Sequence, residues 1–573
     1  MARTLEHFPN LVTMFFTRAA EGGDAPFLWT KIDGRWTPRS WADTARQIAA
    51  LATALKENGL RRGDRVVLVS ENRPEWLIAD IAIMAAGGVT VPAYITNTPR
   101  DHAHILGNSG ARMAIVSTAK LAATLLPAII ETGRCDALIA MEPPAHRPQG
   151  VRICDWDALI AAHPTDVAAT AATIDFTRED LACLIYTSGT GGTPRGVRQH
   201  HGAVLASAKG AAIIVAEDFG IDEEMFLSFL PLSHAYEHTA GQYLPIMLGG
   251  QISYAEGLDK LSANIEEVRP TIMVVVPRLF ELLRTRILKQ VEKGGGVSRW
   301  LFARAVKRDR LLGPLLDVTV RKKVQGRFGG RIKAMVSGGA PLNPEIGQFF
   351  QSLGLTLLQG YGQTEAAPII SCNRPRAGID PSTVGPPLDG VEVRIAEDGE
   401  ILVRGEIVMH GYWQAEEETA RALEGGWLHT GDVGHFDGAG RLVITDRKKD
   451  LIVNDKGDNV SPQRVEGMLT MEPEIGQAMV VGDRRPHLVG LIVPDAVWLA
   501  EQGAMSPEAI EKAMAAAVER VNRTLSTTEK VRRITMADEP FTTDNGEMTP
   551  SLKIRRHILR ARYGERLDGL YGK

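Results

Sequence analysis

Between Tyr186 and Val197 the chain reads YTSGTGGTPRGV, with four hydroxyls (Thr187, Ser188, Thr190, Thr193) and four glycines (Gly189, Gly191, Gly192, Gly196) directly after the apolar run Leu181 to Tyr186. Glycines let backbone N–H groups approach an anion closely, and hydroxyls donate to phosphate oxygens, so this stretch can cradle a phosphate chain. It is not a Walker A loop, because no Lys-Ser/Thr pair follows at the required spacing and Pro194 interrupts the run; nor does it fit GxGxxG. Composition alone does not separate it from an ordinary glycine-rich surface loop. A second segment, GYGQTEAAP (Gly360 to Pro368), follows the apolar LTLLQ and so falls at a strand's carboxyl end, where ligands bind in open α/β sheets. There Tyr361 offers a flat face to a base such as adenine, and Glu365 is a hard carboxylate suited to a magnesium ion that bridges phosphates. Taken singly, His234 reads as a core or surface histidine, the run RKKD (Arg447 to Asp450) as a solvated face, and Lys553 as an exposed strand residue.

These groups are scattered from Thr187 to Lys553 and act together only if a fold gathers them. The elements that must do so are legible. Ser40 and Asp43 form a capping-box pair, Ala45, Ile48, Ala52 and Leu55 share one helical face, and Asn58–Gly59 ends the helix. Short apolar runs at Arg65 to Ser70, Met113 to Ser117, Leu181 to Tyr186, Ile272 to Pro277, Ile332 to Ser337 and Leu355 to Gln359 read as buried strands separated by helices. That pattern predicts parallel sheets covered on both faces. After about Val384 short strands with glycine turns (VEVRI, GEILVRG, GRLVITD) predict a smaller, more antiparallel subdomain. Beyond the connector DRKKD (Asp446 to Asp450), the strands QAMVVGD and LVGLIVPD and a helix from about Pro507 to Asn522 predict a compact α+β unit. The fold class is thus α/β: a large N-terminal domain over residues 1–446, its β-rich subdomain at 385–446, and a C-terminal domain over 447–573.

With 573 residues the chain exceeds one ordinary core. A hydrophobic fraction of 44% and a charged fraction of 23% are a globular balance, and a net charge of −4 gives no global positive field for nucleic acid. Cys135, Cys154, Cys183 and Cys372 stand far apart without a CxxC pair, which fits a reducing, cytoplasmic setting and gives no zinc signal. Glu6 and His7 interrupt what would be a signal's apolar stretch, and Asp80 and Gly87–Gly88 break the longest apolar run, so neither secretion nor membrane spanning is expected. The stretch SRWLFARAVKRDRLL (Ser298 to Leu312) reads either as an amphipathic helix packed on its own domain, which Asp309 and its modest length favour, or as a peripheral contact with the inner face of a membrane.

YTSGTGGTPRGV resembles the phosphate-binding signature of the adenylate-forming superfamily, usually YTSGTTG-x-PKG. Gly191 replaces the second of the adjacent threonines, and Arg195 replaces the lysine, keeping its charge but not its point contact. Further segments match the same superfamily in order: PLSHAYEH with His234 beside the acyl pocket, SGGAPL (Ser337 to Leu342) at the adenine site, GYGQTEAAP, and WLHTGDVGHFDGAGRLVITDRKKD (Trp427 to Asp450). The last match is NGEMTPSLKIRRH (Asn545 to His557). Its TP-x-x-K form, and the stretch Trp300 to Leu342, resemble the long-chain fatty acid–CoA ligase branch.

The resemblance implies catalytic roles for Lys553, Arg195 and His234. It implies contacts with ATP from Thr187, Ser188, Gly189, Thr190, Gly192, Gly196, Gly339, Ala340, Pro341, Gly360, Tyr361, Gly362, Gln363 and Thr364. Asp432 and Arg447 would hold the ribose, Thr187 and Glu365 a Mg²⁺ ion, and Lys449 would be the hinge of a mobile C-terminal domain. The implied reaction activates a fatty, long-chain acid as an acyl-adenylate and transfers it to CoA. The alternatives are a fatty acyl-AMP ligase that loads a carrier protein, or a non-catalytic nucleotide or fatty-acid binding homologue. KGDNVSP (Lys456 to Pro462) resembles the segment that serves the second half-reaction. In some long-chain relatives an aromatic gate stands four residues after the motif histidine; here that residue is His238. Medium-chain, branched or aryl acids stay open, as does the oligomeric state, a homodimer included.

Overall fold

Residues 5–187, 193–307, 316–549 and 553–572 are described by the computed structural model of the chain. Helix Trp41–Glu57 shows how local chemistry places an element. Ser40 Oγ accepts from the Asp43 N–H at 3.1 Å, Ala45, Ile48, Ala52 and Leu55 are all buried, and Gly59 leaves the helix at a φ of 95°. Only half of the expected capping box forms, because the Asp43 carboxylate turns to Gln47 Nε2 at 2.9 Å instead.

Two large sheets carry the N-terminal part. One runs, edge to edge, Arg152–Asp155, Ala137–Ala140, Met113–Val116, Arg65–Val69, Val89–Ala93, Leu181–Thr187 and Arg195–His200. Its neighbours pair parallel until the last, an antiparallel hairpin that sets Thr187 opposite Arg195. The other runs Ile369–Cys372, Leu357–Gly362, Ala334–Ser337, Ile272–Val275, Met225–Ser228, Gln251–Tyr254, Pro26–Ile32 and Arg35–Ser40. Its inner pairs are parallel and both edge pairs antiparallel. The fold is α/β as expected, with antiparallel edges added wherever a short turn replaces a crossover helix. At Asp33–Gly34, both residues take positive φ (48° and 76°), the geometry of a two-residue hairpin.

Helix His201–Asp218 lies against the second sheet, its Ile214 sharing a cluster with Ala334, Leu358 and Cys372. A four-stranded antiparallel sheet follows, Glu392–Ile395, Glu400–Arg404, Leu428–Phe436 and Leu442–Arg447, whose register sets Asp432 opposite Arg447. Beyond it, Ile475–Val481 pairs antiparallel and Val531–Met536 parallel with Leu488–Pro494, and helices Pro462–Leu469, Pro507–Asn522 and Arg556–Gly569 pack around clusters of their own. Among the described residues no helix is long and apolar enough to cross a membrane.

Candidate active site

One short segment, residues 409–413, does much of the gathering. Trp413 N–H donates to Gly196 O at 2.7 Å, Arg198 N–H to Gly411 O at 3.0 Å, and Met409 N–H to Glu365 O at 2.9 Å. Gln199 Nε2 adds a bond to Thr364 O at 2.7 Å. The hairpin that carries Thr187 and Arg195 is thereby tied to the turn that carries Glu365. Tyr412, in the middle of the segment, links the two: the Arg195 guanidinium lies 4.3 Å from its ring centroid, and its hydroxyl donates to Glu365 Oε1 at 2.9 Å. Burial, and then the Glu365 charge, raise the Tyr412 hydroxyl above its ordinary pKa, so it remains a donor across the working range.

Thr187, Arg195, Tyr412 and Glu365 line a cleft of about 1400 Å³, together with Gly339, Ala340, Pro341, Gly360, Tyr361, Gly362, Gln363, Thr364, Arg447, Lys449, His234 and Lys553. Two glycines in its walls admit no side chain. A Cβ at Gly362 would stand 1.7 Å from the Pro368 carbonyl oxygen, and one at Gly338 would stand 2.8 Å from the Tyr236 ring, against which the Gly338–Pro341 loop lies.

Asp432 stands behind Tyr361 and Arg447. Tyr361 Oη donates to its Oδ2 at 2.7 Å, and Arg447 Nε lies 3.3 Å from its Oδ1. With 6% exposure, burial outweighs the Arg447 charge and lifts the carboxyl above its usual pKa. Lys553 is half-buried in the cleft. Burial and the Arg447 charge push its ammonium down to about 8, although Asp432 and Glu365 pull the other way. Burial, with Lys553 beside it, lowers His234 to about 4. The ring is therefore neutral near pH 7. Its Nδ1 accepts from the Tyr236 N–H at 3.2 Å, so the proton sits on Nε2, which is a donor.

Not every expected residue joins this cleft. Gly196 is buried between Tyr186 and Trp413, whose side chains would meet its Cβ at 3.2 and 3.3 Å. His238 turns away, 1% exposed, to place Nε2 2.9 Å from Asp80 Oδ2, which also accepts from Gln242 Nε2 at 2.8 Å and Tyr243 Oη at 2.6 Å. It is the partner of a buried carboxylate and forms no gate. Lys456 to Asn459 are exposed and lie outside the cleft lining. Ser188, Gly189, Thr190, Gly191 and Gly192 fall outside the described residues, as does Pro550. Tyr412 belongs to none of the motifs, and its position follows only from the pairing of distant strands, whereas Tyr236 lies within PLSHAYEH, two residues after His234.

The description "AMP-binding enzyme" matches residues 15–413, and "AMP-binding enzyme C-terminal domain" matches residues 449–573. The chain is 32% identical over its whole length to the long-chain-fatty-acid–CoA ligase FadD15 of Mycobacterium bovis, of which it covers 98%. It is 30% identical to the peroxisomal long chain acyl-CoA synthetase 7 of Arabidopsis thaliana, across 94% of this chain and 82% of that one. Among solved structures, the A domain of carboxylic acid reductase from Segniliparus rugosus, bound to AMP and a co-purified carboxylic acid, shares the fold with a TM-score of 0.77 at 22% identity, over 99% of this chain and 94% of that one. Both matched regions border the cleft from its two sides, and on these grounds the chain belongs to the AMP-binding enzyme family.

Proposed function

We propose that the chain is an AMP-forming acid–thiol ligase that activates a fatty, long-chain acid with ATP and passes the acyl group to CoA. The observation that carries this reading is the continuity of the cleft. Its cationic, hydroxyl-lined head opens into an apolar arm in which Ile214 of helix His201–Asp218 and Phe219 just past its end face Ile272, Ala334 and Leu358 of the second sheet. From Gly338 back to Ala334 is four residues of extended chain, so the arm runs about 13 Å along the sheet. A polar head with a long apolar arm suits a carboxylate on an alkyl chain, and the relatives named for long-chain fatty acids agree with it.

The chemistry asks for charge neutralisation more than for a protein nucleophile. In the first half-reaction a carboxylate oxygen attacks the α-phosphorus of ATP; the bond to the bridging oxygen breaks and pyrophosphate leaves with the electron pair. Lys553, cationic below about pH 8, offsets the charge where carboxylate and α-phosphate meet. The neutral His234 donates from Nε2 beside the acyl carbonyl, and Arg195, held over the Tyr412 ring, faces the polyphosphate. Arg447 would hold the ribose hydroxyls with the Asp432 carboxylate directly behind it, and Tyr361 and the Gly338–Pro341 loop would flank the base. Thr187 and Glu365 would hold a Mg²⁺ ion. The fit is good, since both offer hard oxygens at the cleft wall and Tyr412 occupies only Oε1 of Glu365. Such an ion supplies charge neutralisation on the phosphates.

In the second half-reaction the CoA sulfur attacks the acyl carbon, the mixed-anhydride bond breaks and AMP leaves. Lys553 lines the cleft, as the first half-reaction would require. A C-terminal domain over residues 447–573, rotating about Lys449, would withdraw it for the second. A pyrophosphate-release screen over acids of rising length, with and without free CoA, tests the reading. Release should require an acid and favour chains of about ten carbons or more, and acyl-CoA should form when CoA is present. Acid-dependent release without any acyl-CoA would redirect the proposal to a carrier protein, and release from no acid would end it.

A further inference from the structure

Four tyrosines line the cleft, and three of them are committed. Tyr361 donates to Asp432, Tyr412 to Glu365, and Tyr236 Oη to the Val336 carbonyl at 2.8 Å. The fourth, half-buried Tyr94, makes no side-chain hydrogen bond to any described residue, although a phenol so placed ordinarily finds a partner. It stands one residue past strand Val89–Ala93. That strand pairs parallel with Leu181–Thr187, Thr90 opposite Cys183, so four residues further along both strands Tyr94 comes abreast of Thr187. The hairpin sets Arg195 on the other side of Thr187. Tyr94, Thr187 and Arg195 thus form one row across three neighbouring strands, with about 4.8 Å between neighbours. The row lies at the carboxyl ends of the two parallel strands, and all three residues line the cleft.

The segment after Tyr94 holds this row against the glycine-rich stretch. Helix Pro99–Ser109 bonds both flanks of that stretch: Asn108 Oδ1 accepts from Tyr186 Oη at 2.6 Å, and His104 Nε2 donates to the Pro194 carbonyl at 2.8 Å. Burial alone raises the Tyr94 phenol above its ordinary pKa, so the hydroxyl keeps its proton across the working range. We propose that Tyr94 is a phosphate-binding residue whose hydroxyl donates to the pyrophosphate half of ATP, on the side of Thr187 opposite Arg195. The inference rests on the ATP-dependent reading of the cleft and adds to it a group that belongs to none of the motifs. Lys553 and His234 meet the reacting carboxylate and α-phosphate, so a donor in the row of Thr187 and Arg195 acts on the phosphates that leave. The bond offsets charge on the departing oxygens, and the proton stays on the phenol.

The test is titration of the full-length protein with ATP and, separately, with AMP, in the presence of Mg²⁺ and without acid or CoA. Tyr94→Phe keeps the ring and removes a hydroxyl that is bonded to no described residue, so its melting temperature should match the parent's. Its affinity for ATP should fall about tenfold, the usual worth of a hydrogen bond to a charged group, while its affinity for AMP stays within about twofold. In the reverse reaction, from acyl-adenylate and pyrophosphate, the KM for pyrophosphate should rise by a similar factor and that for acyl-adenylate should hold. A merely structural role would move AMP and ATP together. A parent that binds neither nucleotide would overturn the ligase reading and this inference with it. A parent that binds both, with Tyr94→Phe equal to it for ATP or weakened for AMP and ATP alike, would overturn the inference alone.

Discussion

Replacing Tyr412 with phenylalanine removes one hydroxyl and leaves the ring under Arg195, so it isolates the bond to Glu365 Oε1 at 2.9 Å. A hydrogen bond to a charged group contributes about 1.5–3 kcal/mol. Glu365 is only half-buried, so water can replace part of that bond, and about 1–1.5 kcal/mol is the fair share. The lost bond also frees Glu365 to swing, at the position where, on the proposed reading, its carboxylate would face a Mg²⁺–ATP complex. The expected result is a fall of about tenfold in kcat/KM for ATP, since about 1.4 kcal/mol is a factor of ten, with a raised Mg²⁺ requirement. The assay is pyrophosphate release with a saturating acid and varied ATP and Mg²⁺. Tyr412→Leu should cost more, because the cation–π contact goes as well. A cycle with Glu365→Gln should show the Tyr412→Phe effect shrinking once the carboxylate is gone. Activity of Tyr412→Phe within twofold of the parent, or an undiminished effect in the Glu365→Gln background, would refute the coupling.

Lys553→Ala should lower adenylate formation by two to three orders of magnitude, the usual loss for one preorganised charge, while thioester formation from supplied acyl-adenylate is spared; equal loss of both half-reactions would contradict its role. Because Lys553 acts as a cation and stands at about 8 in the empty cleft, kcat/KM for adenylation should fall as pH rises through about 8. With ATP saturating, the limb in kcat should move to higher pH, because bound phosphates favour the charged form. Ala211→Phe, on the helix wall of the acyl arm, should shorten the preferred acid by a few carbons while short acids react within about threefold of the parent, as the same screen would read. His238→Ala removes one of three donors to the buried Asp80 carboxylate and should cost about 1–3 kcal/mol of stability; thermal melting should show this with no change in chain-length preference, whereas a changed preference would restore a gating role.

The parallel strands and the helices between them were legible because a buried parallel strand must be apolar throughout, and each such run from Arg65 to Gln359 marks an observed strand within a few residues. Asp432 and Arg447 were legible as a pair only through resemblance; their contact arises from the antiparallel register of Leu428–Phe436 with Leu442–Arg447, a distance that no local pattern states. Tyr412 was not legible. Its place depends on a single bridge to Val197 and on the bonds of residues 409–413 to two strands far away in sequence. The direction of His238 was equally hidden, since it follows from Asp80 being sealed in helix Pro74–Ala85, and a buried carboxylate without partners would be far costlier than a histidine turned inward.

The state of Lys553 also bears on why the proposed rotation would follow the chemistry. Lys553, pushed down to about 8 by burial and by the Arg447 charge, has lost part of its preference for the charged form. An empty cleft therefore works against this pose. Two of the contacts that hold the connector and the C-terminal part are exposed ion pairs, Lys448 Nζ with Asp398 at 2.6 Å and Lys289 Nζ with Glu501 at 2.7 Å, and such pairs contribute about 0–1 kcal/mol each. Bound ATP would reverse the sign, because a polyphosphate and a carboxylate give the ammonium the partners that burial took away. After pyrophosphate leaves, part of that anionic charge goes with it, and the lysine's hold on the cleft weakens at the moment the thiol needs room. On this view no separate trigger is required: the charge consumed and released by adenylation sets the position of the residue that promotes it.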